Sequence, residues 1–263
     1  MSPHPLERRV RFLTGATIAL TSVLLALVLG AASPAGAAWV QHLAAGVVEA
    51  DTVRADVIIT ERVNVVQPDG RLAVVVSNGD RIPDPIFQGE EFPPEISEGR
   101  RGSAGLVFYN ADETESGGLI HRTVRADGGY EAFGALTFDQ FEQDQTVALA
   151  YDDDGASRRA GLHVWDRPTE FTIKELIDVV VGVRSEDPDA RASAQERYEA
   201  MRDAGGLDAP QRVFVGSENR TAEVRLQDTQ GRPRIRLIVD SLDVARLVIL
   251  DADGETVLRL PED

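Results

Sequence analysis

The sequence contains no cysteine in its 263 residues. That absence excludes disulfide staples, thiolate nucleophiles, covalent haem attachment and cysteine-ligated metal centres together. Tryptophan occurs twice, at Trp39 and Trp165, and aromatic residues make up only 6% of the chain. The stacked rings that would flank a sugar in a carbohydrate-cleaving cleft are therefore scarce. Lys174 is the only lysine, a bias that fits either a GC-rich genome or a salt-adapted acidic surface. The four histidines (His4, His42, His121 and His163) are scattered, whereas metal sites need two or three converging side chains. His121 and His163 read as solvent-facing strand residues. There is no G-x-S-x-G elbow, S-x-x-K pair, P-loop or Rossmann glycine pattern. Neither a cofactor nor a metal ion is expected on these grounds.

Acid dominates what is present. Forty-four aspartates and glutamates face 27 basic residues, for a formal net charge of −17. Arg8, Arg9 and Arg11, less Glu7, put +2 on the extreme N-terminus, so the remainder carries −17 − 2 = −19. Such a surface repels phosphate backbones, and nucleic acid is not expected as a partner.

The three arginines precede an uncharged run over residues 13–32, followed by Ser33, Pro34 and the small residues 35–38. The run reaches the roughly 20 residues that span a bilayer as a helix, and Trp39 suits the interfacial aromatic belt. The small-residue end instead fits a cleaved signal, with Ala35-Gly36-Ala37 before the cut. Residues 1–38 are thus a signal-anchor or a signal peptide. The positive flank keeps the N-terminus cytoplasmic and sends the remainder outward. This reading places the protein in the cell membrane, single-pass, with that membrane as a partner. Residues 39–56 form a stem and residues 57–263 an extracytoplasmic β-rich domain.

Beyond the stem, short segments with period-two alternation are separated by turns rich in Asp and Gly. Three loose pentads start at Ala50, Ala55 and Thr60, and a strand leading into the domain explains them better than a solenoid does. Strands are predicted over 57–66, 71–77, 104–109, 118–124, 132–139, 146–151, 160–165, 212–216, 221–227, 233–239, 245–250 and 256–260. The stretches ending in Gly70, Gly155, Gly231 and Gly254 read as hairpin turns, with Gly in the left-handed position. Alternation in the last hairpins points Val224, Leu226, Ile235, Leu237 and Val239 inward, and Glu223, Arg225, Arg234 and Arg236 outward. Residues 79–103 carry four prolines and read as a long loop. Residues 172–205 read as two helices: Thr172 and Glu175 form a capping box, and Pro188 opens the second helix, which stops at Gly205-Gly206. The fold class is all-β, an antiparallel meander of sandwich or barrel-like form, with a two-helix insertion and one N-terminal transmembrane helix in front.

The block Gly105-Leu-Val-Phe-Tyr-Asn110, with Glu115 and Gly117-Gly-Leu-Ile120, resembles an uncharacterised family of bacterial membrane-anchored β-rich proteins. The runs 136–145 and Gly231-Arg-Pro-Arg-Ile235 resemble further blocks of it. The resemblance implies a single unit behind an N-terminal anchor and brings no assigned activity, cofactor or partner.

Two chemistries tempt the reader of an acidic extracytoplasmic protein. Glu113, Glu115, Asp139, Glu142 and Asp144 could supply the carboxylate pair of a glycosidase, which needs one acid with a raised pKa. So many acids produce such pairs by chance, and Glu113, Glu115, Asp139 and Asp144 are read as surface charges. Asp152-Asp-Asp-Gly155 and Asp251-Ala-Asp-Gly254 look like calcium loops but lack the bidentate Glu at the twelfth position, so turn chemistry explains them. A polar patch of Tyr109, Asn110, Glu113 and Glu115 is the candidate binding surface. The expected function is a non-enzymatic, membrane-tethered envelope protein, a binding or assembly module with a protein or envelope polymer as partner. The alternative is an extracytoplasmic carboxylate-dependent hydrolase.

Overall fold

The computed structural model describes residues 50–262, except 94, 95, 97, 98, 127, 206 and 208. The apolar run at 13–32, Trp39 and most of the stem lie outside the described residues. Residues 50–59 belong to a separate unit and carry no helix or strand, so the first pentads form no repeat and the predicted leading strand begins late.

The second unit is one antiparallel sheet of twelve strands. Its strands are β1 (Arg62–Val66), β2 (Leu72–Ser77), β5 (Ala104–Tyr109), β6 (Glu115–Ala126), β7 (Gly129–Asp139) and β8 (Gln145–Asp153). They continue with β9 (Arg158–Trp165), β10 (Gln211–Glu218), β11 (Thr221–Gln227), β12 (Pro233–Val239), β13 (Ala245–Leu250) and β14 (Thr256–Leu260). Each predicted strand is present. β6 and β7 run several residues longer than the alternation indicated. The predicted loop at 79–103 also contains a small separate hairpin of β3 (Ile86–Phe87) and β4 (Glu90–Glu91).

The sheet is neither a sandwich nor a barrel. Strands follow one another in sequence order, and among the described residues β1 and β14 are its two unpaired edges. A sandwich consists of two separate sheets packed face to face, whereas these twelve strands form one continuous sheet. Here only the connections after β2 and after β9 exceed a hairpin turn, and both return to the neighbouring position of the same sheet.

Two helices fill the second long connection: α1 (Ile173–Val183) and α2 (Pro188–Asp203). Thr172 and Glu175 form the predicted capping box, and Asp187 caps α2 ahead of Pro188. Gly182 lets the helices approach closely, because a Cβ there would lie 2.7 Å from the Ala194 methyl. Val179 and Ala194 are buried between them.

Side chains directly across an antiparallel pair share a face, so register defines two very different surfaces. One row runs Val63, Val76, Leu106, Leu119, Leu136, Leu149 and on through Leu162, Val215, Val224, Leu237, Leu247 and Leu260. The next row on that face is Val65, Val74, Phe108, Gly117, Phe138, Val147, then Val164, Val213, Leu226, Ile235, Ile249 and Leu258. This face is open to solvent: Leu149 is 59% exposed and Leu237 49%.

The opposite face is the covered one. Val75, Val107, Ala148, His163 and Phe214 lie along it and are buried. Ile82 and Ile86, from the proline-rich connection, pack on Val75, Val107 and Tyr109. Further along, arginines take over. The Phe214 ring lies between the guanidinium groups of Arg159 (4.8 Å) and Arg225 (5.6 Å), and Arg225 and Arg236 both pair with the buried Glu223.

The alternation predicted for the last hairpins is therefore inverted. Leu226, Ile235, Leu237 and Val239 face water, whereas Glu223 is buried. The cause is a shortage of covering chain, since the described connections and helices supply material for one face only. His163 is likewise no surface residue. It is buried, stacks on Trp165 and meets Gln211 through Nδ1 at 2.7 Å. Burial, then the charge of Arg159, lowers its pKa.

Candidate functional site

On the covered face, β6, β7 and β8 bring charged groups together beneath the proline-rich connection. β6 starts with Glu115, β7 ends with Asp139, and the following turn and β8 contribute Gln143, Asp144 and Gln145. Arg100 reaches down from the connection and binds Glu115 with both terminal nitrogens, one at 2.7 Å. Gln143 donates to the Phe171 carbonyl at 2.6 Å, and Ile173 N–H donates to the Glu142 carbonyl at 2.9 Å. Those bonds set α1 against the β7–β8 turn. Its Ile173 and Ile177, with Phe87, Phe92 and Ile96, then form the apolar wall of a cavity of about 270 Å³. Arg100, Glu115, Asp139 and Asp144 line its polar side. A second cavity of about 240 Å³ shares Arg100 and Glu115 and is floored by small residues such as Gly118 and Ala148.

The two central acids differ in state. Glu115 is held by Arg100, and both side chains are largely buried. Asp139 lacks such a partner among the described residues: its Oδ1 is buried with no hydrogen bond to any of them. Burial first, then the neighbouring charges of Glu115 and Asp144, push its carboxyl up to about 7 against the pull of Arg100 and Arg167. Asp144 has Arg167 at 3.4 Å. At neutral pH the cavity thus holds an acid poised to give or accept a proton, beside two carboxylates already engaged by guanidinium groups. Reading Glu113, Glu115, Asp139 and Asp144 as surface charges fails for Glu115 and Asp139, because β6 and β7 turn them toward the covered face.

The predicted patch does not assemble as a surface. Tyr109 is buried in the core, where burial, then the Glu115 charge, raises its pKa, and its hydroxyl has no hydrogen-bond partner among the described residues. Asn110 is a turn former whose Oδ1 accepts from the backbone N–H groups of Asp112 and Thr114. Glu113 sits in the left-handed region and accepts from Leu72 N–H at 2.7 Å. Only Glu115 reaches the cavity.

The two acidic Asp-Gly segments act as turns. Asp153 accepts from Tyr130, Tyr151 and Gly155 N–H, and Asp154 from Ala156 and Ser157 N–H. Asp251 accepts from Asp253 and Glu255 N–H.

Sequence reasoning missed Arg100 and the state of Asp139. A connection of that length inside a compact domain was itself a signal, since long loops without structure are uncommon and often functional. Asp139 carried a weaker one, sharing strand parity with Ala135 and Thr137. The chain matches no protein-family model, no curated protein and no solved structure.

Proposed function

We propose that the protein is a non-enzymatic binding or assembly module of the bacterial envelope. Its N-terminal apolar segment tethers it to the cell membrane, and its sheet domain stands on the outer side. The open apolar face carries this reading. A soluble monomer rarely leaves a contiguous apolar patch larger than about 300–600 Å² in water, and the two rows cross all twelve strands. The arginine-flanked run at 13–32 supports the tether.

The test uses the full chain in a bacterial host, with a photo-crosslinking phenylalanine analogue at Leu149 or, as control, at the exposed Glu196 of α2. The chain is expected in the membrane fraction, with a covalent adduct from Leu149 and none from Glu196. No adduct at Leu149, nor at Leu237 on the same face, overturns the module. Recovery only as a soluble species beginning near Ala38 overturns the tether.

A carboxylate-dependent hydrolase is the second reading, favoured by one observation, the raised pKa of Asp139 in a cavity with other acids. It ranks second because hydrolysis needs a second carboxylate free to act as base or nucleophile, and Arg100 and Arg167 engage Glu115 and Asp144.

A further inference from the structure

We propose that the open apolar face is the docking surface for a second copy of this chain, the two sheets packing face to face. The inference rests on the module reading of that face and names its partner.

Area is the first argument. The more open members of the two rows are 36–59% exposed. Together they present on the order of 1,000 Å² of apolar surface, against roughly 800 Å² per partner in a standard stable interface. Chemistry is the second. All 24 positions are apolar side chains except Gly117, and the rows carry neither charge nor hydrogen-bonding group. Such a surface offers nothing to orient a polar ligand. It also lets two copies of a −17 chain meet without burying like charges. The burial required is what the alternation in the sequence anticipates, with a sandwich completed between two chains instead of within one.

Dimensions separate this partner from a bilayer. Two rows along the strands make a stripe about 13 Å wide, widened to about 20 Å on β11 to β13 by Ala222, Val239 and Ala245, and across twelve strands about 53 Å long. A membrane-embedded sheet needs an apolar band about 25 Å tall. Shape agrees as well. On β10 to β14 the open face dips into a trough of about 730 Å³ lined mainly by apolar residues such as Val215, Val224, Leu237 and Leu247, with Glu223 and Arg246 also reaching it. Twisted sheets are saddles, concave along one diagonal and convex along the other, so a copy crossed near a right angle lays its ridge in that trough. A two-fold axis makes the contact self-complementary and closed.

The experiment co-expresses two full-length copies with different epitope tags, one carrying the photo-crosslinker at Leu149 or, independently, at Leu237. The expected product has the mass of two chains and carries both tags. It should be lost when Leu237→Glu is placed in the partner copy, a change at an exposed position that leaves the covered face intact. An adduct without the second tag, whether to lipid or to another protein, overturns the second-copy proposal while the module reading stands. No adduct from either position overturns both.

Discussion

Asp139 ties the fold to pH through one side chain. Its carboxyl ordinarily ionises near 3.8 and does so in the folded protein near 7, chiefly because it is buried. Below about pH 4 both folded and unfolded chains hold the proton, and the acid has no effect on stability. Between about pH 4 and 7 the unfolded chain releases it while the folded one keeps it, so stability falls as pH rises through that window and then levels. At about 1.4 kcal/mol per pH unit, discounted for partial solvent access, the loss is roughly 2–4 kcal/mol. Asp139→Asn should remove this slope, leaving the variant more stable than wild type above about pH 7. Urea unfolding of both across that range checks it, and parallel curves would mean that Asp139 ionises normally. Glu223 goes the other way. Burial opposes its ionisation, but the hydrogen bonds from Arg225 and Arg236 outweigh burial and hold its pKa below the ordinary value.

The hairpin turns are the recurring element. In five of them the first residue's N–H bonds the fifth residue's carbonyl, and the fourth residue sits at positive φ: Gly70, Glu113, Gly231, Asp243 and Gly254. Gly231 adopts φ +75°, which an L side chain resists, so Gly231→Ala should lower stability by about 1 kcal/mol. Asp243→Gly should raise it by a few tenths to 1 kcal/mol for the same reason. Thermal melts of the pair should therefore move in opposite directions. The turns were legible where Gly marked the fourth position. They were hidden at Glu113 and Asp243, where Asn110 and Asp240 make the turn by accepting two backbone N–H groups each. The strands were legible because period-two alternation is a local property. Which side of them would be covered was not, because that depends on where the two long connections settle. Glu115 and Asp139 were misplaced for this reason.

At the scale of the whole molecule, −17 exceeds what the ion pairs neutralise. Several of those pairs, such as Arg81 with Glu61, are largely exposed and contribute little. Salt screens the residual repulsion, so the melting temperature should rise as sodium chloride increases from low to physiological strength. A fall would mean that pairs such as Arg212 with Asp166 and Arg246 with Asp240 outweigh the net charge. The sequence-order sheet also bears on how the chain acquires its shape. Each strand after β1, as the chain emerges N-terminus first, finds its partner already in place, immediately upstream. Joining it closes a loop the length of a turn in all but two cases, and the entropy lost grows only slowly with loop length. The sheet can therefore be laid down in the order in which the chain emerges, with no early strand waiting for a late one.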